Sequence, residues 1–294
     1  MKQSTVLGID IGGSHLTAAL MDENSRQFIA DSYTRIRVNS KGSADEILQT
    51  WAGAVEEIYQ KHPVSNKRIG IAMPGPFDYE NGISLIKGLD KYESLYKLNI
   101  KELLATRLNI PASSILMMND AACFLRGEVY YGAARDYQDV IGITLGTGTG
   151  SATHHQGITR DANLGPSPFM DSIADEYFST RWFVKRYAEV TGKAVKDVKE
   201  LSERYATDKQ VREIFSEFVK NLVVFLQGFV KAENPQAIVM GGNIAQCSNL
   251  FLNDLVKGLT EKGITIPIVN AQLGEEAAIL GAASLFEKDH KTIL

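Results

Sequence analysis

The chain has 294 residues, 44% hydrophobic and 22% charged, which excludes disordered and fibrous classes and sets a prior of about two domains. Its net charge of −4 lacks the clustered Lys and Arg that a nucleic-acid surface needs, so a small molecule is the expected partner. Cys123 and Cys247 stand far apart, outside any CxxC or Cys/His metal spacing, and are expected as reduced, buried thiols. The sequence enters its first strand without an apolar leader. Its longest apolar helical stretch, Asn221 to Val230, is interrupted by Gln227 and Gly228 and is too short for a bilayer. The expectation is a soluble, cytoplasmic chain with no membrane partner.

Val6 to Ala18, VLGIDIGGSHLTA, opens as a β-branched apolar run, reaches Asp10 and Gly12-Gly13, and resumes as a second strand, so it predicts a hairpin. The pattern returns 134 positions later in VIGITLGTGTGSA, Val140 to Ala152. Val6, Gly8, Ile9, Gly12 and Ala18 match Val140, Gly142, Ile143, Gly146 and Ala152 in one ungapped register. Two lobes on one plan follow from that repeat. After the first hairpin, Gln27 to Val38 predicts a third strand. Ser43 and Glu46 then stand at capping-box spacing before a helix carrying Ile47, Trp51, Val55 and Ile58, to about Lys61. Lys67 to Met73 predicts a buried strand stopped by Pro74-Gly75-Pro76, which is either a tight connection or a stiff turn presenting backbone to a ligand.

Residues 78–98 form a loop-rich excursion with Tyr79, Lys87, Lys91, Tyr92 and Tyr96, followed by a helix from Ile100 to Leu108. A strand from Ile115 to Met118 runs into Asn119-Asp120 and a helix to Tyr131. The junction between lobes is expected there, with residues 1–118 as the first lobe, completed by 275–294, and 119–274 as the second. His154 and His155 are expected as exposed hairpin residues. A polar loop from Gln156 to Asp171 precedes three helices: Ser172 to Val190, Lys193 to Tyr205, and Asp208 to about Lys231, the last with a core stripe of Val211, Phe215, Phe218, Leu222 and Leu226. Strands from Ala237 to Met240 and from Ile264 to Val269 and a helix from Glu275 to Phe286 close the chain. Alternation of strand, helix and glycine turn of this kind indicates an α/β class.

Three glycine turns offer backbone N–H groups to an anion: Gly12-Gly13-Ser14, Gly146-Thr147-Gly148 and Gly241-Gly242-Asn243. Neither a P-loop nor a Rossmann fingerprint is present. Asp10, at a strand end, suits Mg²⁺ held through water, or else caps its turn. Alone, Asn119 or Asp120 is an ordinary helix N-cap; following an apolar strand near a lobe junction, Asp120 suits a carboxylate that accepts a hydroxyl proton in phosphoryl transfer.

GIDIGGSH, GIAMPGP, MMNDAACFLRGE, ITLGTGTGSA, IVMGGNIA and LGEEAAILGAASL together resemble, in order and across nearly the whole chain, the ROK sugar kinases of the actin-like ATPase superfamily. The resemblance implies a two-lobed, ribonuclease H-like fold with duplicated lobes around a central cleft, ATP and Mg²⁺ as donor and metal, and Asp120 as general base. It implies Asp10 near the metal, with Gly12, Gly13, Ser14, Thr147 and Gly148 on phosphate. Gly241, Gly242 and Asn243 would lie near the adenosine, and Gly75, Asn119 and Asp120 in the sugar pocket; a homodimer is also suggested. The family's GExGH and cysteine-rich zinc segment are replaced by NLGPSPFMDSIADEYFSTRWF, which implies no structural zinc. Matching DEYFSTRW puts Asp175 where a sugar-binding glutamate stands in the family, and KGLDKYESLY replaces the usual sugar segment. The resulting expectation is ATP-dependent phosphorylation of a hexose or its derivative. A weak or inactive sugar-binding sensor, and a polyphosphate-dependent glucokinase, are the alternatives. The repressor branch, with its DNA-binding domain before the first strand, is not expected.

Overall fold

Apolar and β-branched residues at the head of the chain fold as an antiparallel hairpin, β1 (Thr5–Ile11) and β2 (His15–Asp22), with Asp10 opposite Thr17. The structure, a computed structural model, describes residues 4–287. The outer edge of β2 pairs with two short strands, β3 (Gln27–Phe28) and β4 (Thr34–Arg37), in place of the single strand expected over Gln27 to Val38. The chain leaves the sheet between them because Asp31 adopts a left-handed φ of 58° and the Ser32 hydroxyl accepts the Leu20 N–H at 3.0 Å.

Ser43 caps α1 (Ala44–Lys61) by accepting the Glu46 N–H at 3.2 Å, and the helix buries Ile47, Trp51, Val55 and Ile58. β5 (Ile69–Met73) then joins β1 in parallel. A small hairpin, β6 (Phe77–Asp78) and β7 (Ile83–Ser84), and α2 (Ile100–Leu108) lead to β8 (Ile115–Asn119), which joins β5 in parallel and runs directly into α3 (Asp120–Tyr131).

Residues 133–274 form a second compact unit around its own core. β9 (Asp139–Leu145) and β10 (Thr149–His155) are its hairpin, with β11 (Ile158–Asp161) on the outer edge. A two-stranded ribbon, β12 (Pro168–Phe169) and β13 (Ser172–Ile173), precedes α4 (Asp175–Phe178), α5 (Thr180–Thr191), α6 (Val198–Arg204) and α7 (Lys209–Glu233). The helix expected from Ser172 is thus broken at Ser179, whose ψ of 163° is extended. Phe178, Phe183, Phe215, Phe218 and Phe251 interleave beneath these helices, with ring centroids 4.9 Å apart for Phe183 and Phe218. β14 (Ala237–Gly241), α8 (Leu252–Glu261) and β15 (Ile268–Asn270) complete the unit, both strands adding in parallel beyond β9. The order β11-β10-β9-β14-β15 repeats the plan β3-β2-β1-β5-β8 of the first unit.

Burial overturns the expectation for the two histidines. Alternation along β10 turns His154 inward, where Nδ1 lies 2.7 Å from Thr159 Oγ1, while His155 bridges Asp139 Oδ1 at 3.1 Å and Glu233 Oε2 at 2.9 Å. Cys123 is buried as expected, whereas Cys247 is half-buried. Among the described residues no helix is long and apolar enough to cross a membrane.

The first unit extends to Gly132 and regains the chain from Glu275, so α3 belongs with it and not, as the expected boundary at 118/119 has it, with the second. The cause is α9 (Glu276–Ala283), which lies at backbone distance from β1, β5 and α3. A Cβ on Gly70 would stand 1.9 Å from the Ala282 carbonyl, and one on Gly281 would stand 1.8 Å from that of Cys123; Gly8 and Gly127 meet Ile279 and Ala277 in the same way. Buried Arg126 of α3 donates from Nε to Ser284 Oγ at 2.8 Å, closing the end of this packing. Residues 288–294, part of the expected terminal segment, lie outside the described residues.

Gly281→Ala and Gly70→Ala are each expected to lower the urea unfolding free energy by about 3 kcal/mol, because backbone must shift to admit the methyl. Gly53→Ala, in α1 with nothing within 4 Å of the new atom, should gain up to about 1 kcal/mol. Equal midpoints for all three variants would rule out backbone contact as the determinant.

Candidate active site

The parallel strands of the first unit end on one edge of the sheet, where α/β folds commonly hold ligands. Asp10 of β1 is level with Ala72 of β5, and Ala72 with Met118 of β8, so the Pro74-Gly75-Pro76 turn and Asn119-Asp120 follow on the same edge as Asp10. Tyr79 joins two of these: its hydroxyl donates to the Met73 carbonyl at 3.0 Å and accepts from Asn119 Nδ2 at 3.3 Å, and a Cβ on Gly75 would lie 3.1 Å from it. Asn119 is also the N-cap of α3, its Oδ1 accepting the N–H groups of Ala121 at 2.8 Å and Ala122 at 3.1 Å. The Asp120 carboxylate accepts the Ala121 N–H at 2.9 Å.

These carboxylates share an unfavourable field. Burial, then the charges of Asp120 and Glu275, push Asp10 up to about 7, with Arg35 opposing; Arg35 itself pairs with Glu275 at 2.6 Å. Burial also raises Asp120, moderated by the Ala121 N–H and the positive charge of Lys91. A divalent cation fits such an edge. One carboxylate acting through water, with phosphate oxygens completing the shell, is the donor set Mg²⁺ takes. Among the described residues no group of three or more His, Cys, Asp or Glu is placed to hold a metal by itself.

The glycine turn beside Asp10 is held by a distant residue. The Gly12 N–H donates to the His15 carbonyl at 2.9 Å, and the Tyr92 hydroxyl donates to the Gly12 carbonyl at 2.5 Å. Burial and the Asp10 charge push the Tyr92 phenol well up, so it keeps this proton. The Lys91 side chain passes 3.8 Å from where a Gly13 Cβ would stand, and Ser14 is exposed with Oγ 2.9 Å from His15 Nδ1. Sequence reasoning assigned no role to Tyr79, Lys91 or Tyr92. The only local signal was the density of aromatic and basic residues in their loop.

In the second unit, β9 and β14 end together. Gly242 has a φ of 89°, and a Cβ there would lie 2.4 Å from the Leu145 carbonyl, which accepts the Ile244 N–H at 2.9 Å. Thr147 and Gly148 therefore share an edge with Gly241, Gly242 and Asn243. Asp175 is engaged at this same edge. Its Oδ1 accepts the Thr149 N–H and its Oδ2 pairs with Arg181 at 2.5 Å, so both oxygens serve the second unit's own turn.

A model described as the ROK family matches residues 6–167 and 173–289. The N-acetyl-D-glucosamine kinase of Mannheimia succiniciproducens is 26% identical over 95% of this chain and 98% of its own, and the beta-glucoside kinase of Klebsiella pneumoniae 28% identical over 98% and 97%. The crystal structure of a ROK family glucokinase from Streptomyces griseus, in complex with glucose and AMPPNP, superposes with a TM-score of 0.75 at 23% identity, covering 96% of this chain and 99% of that one. The α/β architecture found here is thus that of a ROK kinase fold.

The raised Asp10 carries a stability consequence in protein freed of divalent metal. Below the ordinary carboxylate pKa the folded and unfolded states both hold the proton. As pH rises toward 7 the unfolded state releases it first, so stability falls, and above 7 the loss is constant. Asp10→Asn should therefore gain stability over the parent between pH 4 and 7, on the order of 1.4 kcal/mol per unit of pKa shift at most, with a plateau above. Thermal unfolding in a chelator across this range measures it. A gap that narrows with rising pH would contradict the assignment.

Proposed function

This chain belongs to the ROK family, and we propose that it transfers the γ-phosphoryl group of ATP to a hydroxyl of a hexose or hexose derivative. The observation that carries the proposal is the juxtaposition of Asp10 and Asp120 at the ends of parallel strands, both carboxylates raised, beside the glycine turn. Sugar kinases among the relatives supply the acceptor class: N-acetyl-D-glucosamine, a β-glucoside, or glucose.

In this mechanism Asp120 accepts the proton of the attacking hydroxyl at its carboxylate. The hydroxyl oxygen bonds to the γ-phosphorus in line as the bond to the bridging oxygen breaks, and ADP leaves. A raised pKa makes the ionised Asp120 a stronger base than an ordinary carboxylate. Gly75 and Asn119 line the acceptor side, with the Tyr79 hydroxyl bonded to Asn119 and packed close over Gly75. Backbone N–H groups at Gly13 and Ser14, and at Thr147 and Gly148, serve the phosphates, while Gly12, whose own N–H is spent on the His15 carbonyl, lets the backbone come close to them; Gly241, Gly242 and Asn243 serve the adenosine side. Asp10 would hold Mg²⁺ through water, and the ion would supply charge neutralisation on the phosphate oxygens.

ADP release with Mg-ATP across hexoses, N-acetylhexosamines and β-glucosides tests the proposal. Turnover on one class is expected, falling by about a hundredfold or more in Asp120→Asn, while that sugar still binds. Turnover that survives the substitution would remove Asp120 as the base. Sugar binding with no turnover, from ATP or from polyphosphate, would replace the kinase with a sensor.

A further inference from the structure

The turn Gly146-Thr147-Gly148 is held from behind by the start of α5. The Gly146 carbonyl accepts both the Thr180 N–H at 2.7 Å and the Thr180 hydroxyl at 3.0 Å, and the Thr147 carbonyl accepts from Arg181 Nη1 at 2.9 Å. The break at Ser179 makes this reach geometrically available, because the first N–H of a new helix has no partner in its own helix. On the same turn the N–H groups of Thr147 and Gly148 donate to no backbone acceptor among the described residues. The Gly146 N–H donates across the turn to the Gly148 carbonyl at 3.0 Å, so all three carbonyls of the turn are engaged while the Thr147 and Gly148 donors are spared, which is the polarity an anion needs.

Asp175 sits against this arrangement. Its own N–H donates to the Gly165 carbonyl at 2.9 Å, its Oδ1 accepts the Thr149 N–H, and a Cβ on Gly148 would stand 3.0 Å from that oxygen. A lone carboxylate so near the turn would repel phosphate. Arg181, paired with it at 2.5 Å, offsets the charge while the other arm of its fork holds Thr147.

We propose that Asp175, Thr180 and Arg181 are positioning residues for the nucleotide's phosphate turn, and that Asp175 is not an acceptor-sugar ligand. The inference rests on the kinase proposal and goes beyond it by separating the two substrates: damage to this device is felt by the nucleotide and not by the sugar.

Calorimetric binding of Mg-AMPPNP and, separately, of the preferred sugar, with KM for each, decides it. Arg181→Ala should weaken nucleotide binding and raise the ATP KM about tenfold, the scale of one charge-assisted hydrogen bond, with the sugar KM within about twofold. Arg181→Lys keeps the charge but loses the fork, and should fall between. Asp175→Asn should affect the nucleotide mildly, and combined with Arg181→Ala it should restore part of the affinity by removing the uncompensated carboxylate. A raised sugar KM in Asp175→Asn with nucleotide binding unchanged would overturn the proposal and return Asp175 to the sugar pocket. Unchanged nucleotide affinity in Arg181→Ala would overturn it as well. Parent protein that binds neither ligand would instead overturn the kinase proposal, and this inference with it.

Discussion

Contact between backbones, without intervening side chains, is the constraint on which the first unit depends. α9 returns from far along the chain and settles on β1, β5 and α3 at points where Gly70 and Gly281 leave no room for a Cβ. Packing this close fixes the spacing of the strands and of α3 with little freedom to relax. Asp10 stands just before the end of β1 and Asp120 begins α3, so the same contacts set how near the two carboxylates stand. The raised Asp10 and Asp120 are then a consequence of how the unit is built.

The repeated strand plan is used differently in the two units. Asp10 of the first hairpin corresponds, in the 134-residue register, to Thr144 of the second, so one copy carries a carboxylate where the other carries a hydroxyl. Each glycine turn is braced through its carbonyls: the first by Tyr92 on Gly12, the second by Thr180 and Arg181 on Gly146 and Thr147. Both turns are thus held through their acceptors, and the two units reach that end with unrelated side chains.

What was legible in the sequence is what short-range chemistry determines. The two hairpins follow from β-branched runs around glycines, α1 from the Ser43 cap and its apolar spacing, and α3 from Asn119, whose side chain closes the helix start. The Asp10, Gly12, Asn119 and Asp120 group was legible because each lies where a strand ends. What was not legible depends on partners far away in sequence. Tyr92 reaches Gly12 across 80 residues and Asp175 reaches Thr149 across 26, with no periodicity announcing either. The extension of the first unit through α3 depends on the fit of α9, and the burial of His154 on its register with Thr159. The break at Ser179 in the helix expected from Ser172 likewise depends on a distant partner, the Gly146 carbonyl that accepts the Thr180 N–H.

The central claim is that the first unit's packing raises a carboxylate and so makes Asp120 an effective base. The pH dependence of kcat/KM for the preferred sugar, at saturating Mg-ATP, measures this most directly. The account predicts that activity is lost as pH falls, with a midpoint above the ordinary carboxylate value of about 4, because the ionised form of Asp120 is required and burial makes it harder to form. Activity that stays level down to that ordinary value would contradict the account.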